Sequence, residues 1–271
     1  MKKDVSFILG LSMVIFVVLL FMLSFTSLAD KAEVMNLSRT FEGPSKDHLL
    51  GTDQFGRDTL ARISLSTRYV FMVSFGSVSI GALIGILLGC IAGIGPRFVE
   101  NLIMRIMDGM LAFPGILLAL MLVFVLGKGI RNSLIAIAVF MVPVFCRLSY
   151  SMILERKNLL YIKAARSYGM GSFAIVWHHL LPQMLPRLLT QFTSGISRAI
   201  LTEGSLSFLV LGIQPPSASL GLMLSEARQY YLSHPYLGIA PGIVLMIAIL
   251  GFNLLGDYFN DLWIGGVNED D

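Results

Sequence analysis

The stretch Tyr161-Ile162-Lys163-Ala164-Ala165-Arg166-Ser167-Tyr168-Gly169, continued at His179-Leu180-Leu181-Pro182, is a basic, helix-breaking interruption between long apolar runs. Its cations bar it from a hydrocarbon core, where each Lys or Arg costs roughly 2.5–3.5 kcal/mol or more. Yet Phe173, Ile175, Val176 and Trp177 are bulky and apolar, and water does not favour them. A short segment of this kind lies on a bilayer surface or docks into a partner protein. The question is what surrounds it.

The surroundings are membrane-like. The 271 residues are 55% hydrophobic and only 14% charged, against about 25% charged in an ordinary soluble domain, and the mean hydropathy is +0.78. The apolar runs approach twenty residues, the length that crosses a hydrocarbon core of about 30 Å as a helix. A barrel would alternate in segments of about ten residues instead. The chain reads as an all-α membrane protein with six transmembrane helices, predicted at 5–28, 70–95, 106–127, 131–153, 193–213 and 237–257. The start, Met1-Lys2-Lys3-Asp4 before an apolar run ending near Ser27-Leu28-Ala29, mimics a secretory signal. That run exceeds the 7–15 residues of a typical signal core, which favours an uncleaved first helix. Pro114 and Pro143 are tolerable in or beside spans where neighbours satisfy the freed carbonyls.

Lys and Arg placement orients the bundle. With the N-terminus inside, the inner segments hold Lys2, Lys3, Arg97, Arg105, Arg147, Arg156, Lys157, Lys163, Arg166, Arg187 and Arg198. Outside the long first loop, the outer segments hold only Lys128, Arg131 and Arg228. The expectation is N-in and C-in. Residues 1–69 then form a first helix plus an extracytoplasmic lead-in segment, 70–262 a five-helix core, and 263–271 a short cytoplasmic tail. The loop 154–192 falls in the cytoplasm. Within it, a helix is predicted from Glu155 to Tyr168, a turn at Gly169 and Gly171, and a second helix over 172–181 that stops before Pro182. As a basic loop it suits either anionic lipid head groups or a docking partner.

In the second span, Gly81, Gly85, Gly89 and Gly93 recur at every fourth position. They share a face and permit close helix approach, within the subunit or to a partner. Cys90 and Cys146 read as small buried hydrophobes, and the four histidines show no metal-site spacing, so no metal site is expected. Glu203 is the one clear acid deep in a span. Such residues are functional candidates; it either lines a translocation path and meets a cationic group, or pairs with Arg198 or a partner helix. Asp53, Arg57 and Asp58, punctuated by Gly51 and Gly56, read as a local ion-pair network at the approach to the membrane, with substrate contact as the other role. Ser219, Glu226, Arg228, Gln229, Tyr230 and Tyr231 fall in an outer loop that is either solvated or turned towards an external partner.

Here the motifs become specific. Ala164-Ala165, Gly169 and Leu181-Pro182 resemble the EAA…G…LP loop of ABC importer permeases, with Lys163 in place of the family's leading Glu. Leu50-Gly51-Thr52-Asp53-Gln54-Phe55-Gly56-Arg57-Asp58, then Arg62 and Arg68, resembles the segment before the second span in dipeptide, oligopeptide and nickel permeases. Gly212-Ile213-Gln214-Pro215-Pro216, Gly221-Leu222-Met223 and Phe252-Asn253-Leu254-Leu255-Gly256-Asp257 are similar to the C-type second permease of that family, so the match runs from about residue 50 to 262. The resemblance implies a type I importer fold and half of a translocation pore for peptides or nickel-type metal, possibly as a chelate. It implies a homologous second permease, two ATPase subunits carrying ATP and Mg, and an extracytoplasmic solute-binding protein. Lys163, Ala164, Ala165, Gly169, Trp177, Leu181 and Pro182 would form the loop that couples to the ATPase.

The chain contains no G-x-x-x-x-G-K-[ST] phosphate loop and no H-E-x-x-H pair. It is therefore expected to bind no cofactor and catalyse no reaction itself, with lipid and protein rather than nucleic acid as its partners. The rival class is an autonomous channel or ion-coupled carrier, which calls for inverted repeats with broken helices or a series of buried acids and histidines.

Overall fold

The computed structural model describes residues 2–265. Among them there are ten α-helices and no strand; one antiparallel bridge joins Thr52 and Asp58. The helices are α1 (Lys2–Leu23), α2 (Thr59–Ile94), α3 (Arg97–Leu111), α4 (Gly115–Leu126), α5 (Ile130–Arg156), α6 (Leu160–Ser167), α7 (Ser172–Ile175), α8 (Leu181–Phe208), α9 (Leu220–Ala227) and α10 (Tyr236–Gly265). The tail expected at 263–271 begins inside α10, which runs to Gly265, and lies outside the described residues from position 266.

Among the described residues four helices are long and apolar enough to cross a membrane: α1, α2, α5 and α10. The expected count of six is not reproduced on that test, for two physical reasons. The span predicted at 106–127 is not one helix: α3 and α4 meet at a 92° bend, and together they make a fifth crossing at most. Pro114 sits at the bend as the residue before α4, where its missing N–H costs nothing. The span predicted at 193–213 belongs to α8, which starts at Leu181 and ends at Phe208. Its 28 residues suffice in length, but Arg187, Arg198, Glu203 and a run of hydroxyl residues make it too polar to pass. Pro143, by contrast, is accommodated inside α5 as expected.

The centre of the bundle is the packing of α2 on α5, with α8 and α10 closing the other side. Gly81, Gly85, Gly89 and Gly93 line the contact with α5 of the same chain. A Cβ built on Gly81 would lie 2.5 Å from Met141 Cβ, and one on Gly85 2.5 Å from the Val142 carbonyl oxygen. At Gly89 the obstacle is the Cys146 carbonyl oxygen at 2.5 Å, and at Gly93 the Ile153 Cγ2 at 2.7 Å. Only hydrogen fits at that separation, so the four-residue period brings two backbones together. Around this seam, Ile137, Met141, Phe145 and Met152 of α5 pack with Val73 and Val78 of α2 and Ile196 and Ile200 of α8, all buried. Cys146 is buried and Cys90 half-buried, both as free thiols.

The helix α2 begins eleven residues before its predicted start. Asp58 supplies the reason: its carboxylate accepts from the Ala61 N–H at 2.8 Å and caps the first turn. At 1.5 Å per residue α2 is about 54 Å long, so it projects well beyond the hydrocarbon.

Candidate functional site

The loop after α5 is built in three pieces. The helix predicted from Glu155 to Tyr168 is interrupted by a turn at Lys157–Leu159, and α6 starts afresh at Leu160. It closes on Gly169, whose φ of +83° is the left-handed geometry that favours glycine. The Gly169 N–H donates to the Arg166 carbonyl at 3.0 Å and the Met170 N–H to the Ala165 carbonyl at 3.1 Å, the pair of hydrogen bonds that defines a Schellman stop. Next, α7 passes through a π-helical turn, Val176–Leu180, directly into α8. The second helix therefore does not stop before Pro182. That proline follows the π turn within one continuous helical run, and the Leu181 N–H just before it donates to the Val176 carbonyl.

Ile162, Ile175, Val176, Leu180 and Met184 are buried and fasten the loop to the bundle. Tyr161 Oη donates to Gln183 Oε1 at 2.9 Å, and Arg187 pairs with Glu155 at 3.5 Å, tying α6 and α5 to α8. Tyr168 is 92%, Phe173 75% and Trp177 58% exposed, and Trp177 lines an apolar groove with Leu83 and Leu87 of α2 and Leu185 and Phe192 of α8. Lys163, Ala164 and Pro182 are also exposed, with Ala165 and Leu181 half-buried.

On the other long loop, the lead-in segment folds around Asp53. Its Oδ1 accepts from the backbone N–H of Phe55 (2.8 Å) and Arg57 (2.9 Å), and its Oδ2 from Arg57 Nε (2.7 Å) and Arg62 Nη1 (2.5 Å). Both guanidiniums are buried. Glu226 of α9 supplies the second negative charge, 3.1 Å from Arg62 Nη1 and 3.6 Å from Arg57 Nη2. Asp58, while capping α2, also pairs with His48 at 2.8 Å. Thr52 Oγ1 donates to the Arg39 carbonyl and accepts from the Glu42 N–H. Tyr236 Oη donates to the carbonyls of Thr52 (3.1 Å) and Glu42 (3.3 Å). Gly51 and Gly56 take positive φ at the two turns, and a Cβ on Gly56 would strike the Asn36 carbonyl. The motif is thus an internal clasp between the lead-in segment and the α9–α10 region.

Glu203 is fully buried between α8 and α9. Its Oε1 accepts from Ser207 Oγ at 2.6 Å and Ser219 Oγ at 3.0 Å, and its Oε2 has no partner among the described residues. Arg198 is not its partner; that guanidinium reaches the Ser194 carbonyl at 3.4 Å and is exposed. Glycine lets α9 come this close, for a Cβ on Gly221 would collide with the Gly204 carbonyl. Among the described residues no group of three His, Cys, Asp or Glu side chains is placed to hold a metal ion.

Residues that sequence reasoning underused are Arg62, Glu226, His48 and Tyr236. Arg62 and Glu226 are 164 positions apart in the chain, so no local spacing links them.

A family profile described as binding-protein-dependent transport system inner membrane component matches residues 85–264. The glutathione transport system permease protein GsiD of Pectobacterium atrosepticum is 38% identical over 261 residues, covering 96% of this chain and 87% of that protein. The dipeptide transport system permease protein DppC of Alkalihalophilus pseudofirmus is 40% identical over 261 residues, covering 96% of this chain and 86% of that one. Among solved structures, a chain of the MetNI methionine ABC transporter in an inward-facing crystal form shares the fold. Its TM-score is 0.56 at 19% identity, over 73% of this chain and 93% of that chain.

Proposed function

The chain belongs to the family of binding-protein-dependent transport system inner membrane components and is a permease subunit of an ABC importer, and we propose that its cargo is a short peptide. The names of the glutathione and dipeptide permeases, together with their high mutual coverage, support that substrate class. In this reading the chain is the C-type second permease, oriented N-in and C-in in a bacterial cytoplasmic membrane. It forms half of a pore with a homologous permease and receives peptide from an extracytoplasmic binding protein. ATP and Mg are held by two separate ATPase subunits.

The observation that carries the coupling role is the exposure of Tyr168 and Phe173 on either side of Gly169, on a loop anchored to the bundle by Ile162, Ile175 and Leu180. Such aromatic anchors dominate the energetics of protein interfaces. A push on this loop enters α8 without a break, and α8 extends for about 42 Å. Glu203 links α8 to Ser219 at the start of α9. Glu226, one α9 length further on, grips Arg62 and Arg57 of the lead-in clasp. ATPase closure would therefore reach the binding-protein side through one helix, one buried acid and one ion-pair cluster.

Vesicle reconstitution tests the proposal. The complete assembly should accumulate a labelled dipeptide only with ATP inside, and this chain alone should accumulate none. Uptake by the purified single chain under an ion gradient would support the rival carrier class and sink the proposal.

A further inference from the structure

Arg68 is the one cation of the lead-in motif that the clasp leaves out. It stands on α2 beyond the buried Arg62, exposed, and among the described residues it has no acidic partner and no hydrogen bond. Its guanidinium lies 4.6 Å from the ring centroid of Phe25, just past the end of α1. Beside it runs a groove of about 460 Å³ lined by Phe21, Phe25, Phe71, Met72 and Phe75, with Arg68 as its single polar residue. The rings brace one another: Phe21 lies 5.1 Å from Phe25 and 5.2 Å from Phe71, and Phe71 lies 5.5 Å from Phe75. Phe252 of α10 backs the groove at 5.8 Å from Phe75 and 6.1 Å from Phe71. The trough is prebuilt, apolar along its length and positive at one end.

Its setting points to the occupant. Both flanking helices are membrane spans, and α1 is the least covered of the four, with 17% of its apolar window buried. The trough therefore opens sideways towards acyl chains. A guanidinium at the margin of lipid needs an anion or water, and the contact with the Phe25 ring leaves its full charge in place. The planar guanidinium of an arginine matches a phosphate in bidentate geometry, so a lipid phosphate at this end of α2 suits Arg68. We propose that this trough is a binding site for one anionic phospholipid, its phosphate on Arg68 and an acyl chain along Phe71, Met72 and Phe75. A head group with net negative charge fits an uncompensated cation better than a zwitterionic one.

The test uses the assembled complex, delipidated and offered equal amounts of dioleoylphosphatidylglycerol and dioleoylphosphatidylcholine. Native mass spectrometry should show phosphatidylglycerol retained in preference. Arg68→Gln should reduce that preference about tenfold and Arg68→Lys should keep most of it. Met72→Trp, which fills the trough, should lower retention of both lipids. A second measurement on the unaltered complex is independent of how the variants fold: phosphatidylglycerol with a photoreactive acyl chain should label the peptide containing residues 69–75. An unchanged preference in Arg68→Gln, no preference in the wild type, or labelling that spares 69–75 would each overturn the proposal. So would efficient cross-linking of Met72→Cys to the second permease, since the trough would then be a protein interface.

Discussion

Replacing Asp53 with asparagine should open the lead-in clasp while leaving the spans intact. The Asp53 carboxylate accepts four hydrogen bonds, two of them from the guanidiniums of Arg57 and Arg62, and all three side chains are buried. Removing one partner of a buried ion pair costs about 3–5 kcal/mol, because the remaining charge is left uncompensated. Two features of the structure pull the cost to the lower end. Glu226 stays 3.1 Å from Arg62 and 3.6 Å from Arg57, and asparagine keeps one oxygen for the backbone donors. The expected loss is therefore about 3 kcal/mol, or roughly a hundredfold in the local opening equilibrium at 1.4 kcal/mol per factor of ten. Amide hydrogen exchange reads this directly. The N–H groups of Asp53, Arg57 and Thr59, bonded to the Arg57 carbonyl, Asp53 Oδ1 and the Gly51 carbonyl, should exchange about a hundred times faster in Asp53→Asn. Amides of Ile137 and Met141 in α5 should not change. Acceleration below threefold in the lead-in segment would refute the claim that this carboxylate holds the clasp closed.

Three further outcomes are expected. Gly85→Ala places a Cβ 2.5 Å from the Val142 carbonyl oxygen and 2.7 Å from Phe145 Cβ, an overpacking cost of about 1–3 kcal/mol. Gly109→Ala meets nothing within 4 Å, so the melting temperature of the first variant should fall below that of the second; equal melting would contradict the α2–α5 account. Glu203→Leu strips the acceptor from Ser207 and Ser219, about 1–3 kcal/mol for each unsatisfied hydroxyl. Peptide uptake should fall while ATPase association persists, and Glu203→Gln should transport nearly as well as wild type; wild-type uptake by Glu203→Leu would remove the α8–α9 link from the mechanism. Gly169→Val forces a β-branched residue into a φ of +83°, at about 1–2 kcal/mol or more. Membrane insertion should survive and substrate-stimulated ATP hydrolysis should be lost, so unchanged stimulation counts against the loop's coupling role.

Legibility in the sequence followed the range of each interaction. The glycine seam was readable because a close helix contact, here with α5, asks only for a four-residue period. The Gly169 stop was readable because left-handed geometry selects glycine. Proline was the harder signal, since one residue type has three outcomes here. Pro143 is absorbed within α5, Pro114 marks a 92° bend, and Pro182 opens α8 rather than ending α7. Which outcome occurs depends on whether neighbours satisfy the freed carbonyl, a tertiary property. The break at Lys157–Leu159 carries neither glycine nor proline, so nothing local announced it. Asp53 and Arg57 were recognisable as a local pair, but Arg62 and Glu226 complete the cluster from α2 and α9 and only folding brings them in. Glu203 stood out as a buried acid, while its real partners, Ser207 and Ser219, are ordinary hydroxyls that no pattern distinguishes.

The central claim is that the face around Gly169 is where a separate ATPase grips this chain. Site-directed cross-linking in the assembled transporter measures it. Phe173→Cys, 75% exposed beside that face, carrying a thiol-to-amine linker, should yield a product with the ATPase subunit whose amount changes when ATP is added. Val125→Cys, 81% exposed near the far end of α4, should yield no ATPase product. An ATPase product from Val125→Cys with none from Phe173→Cys would contradict the account.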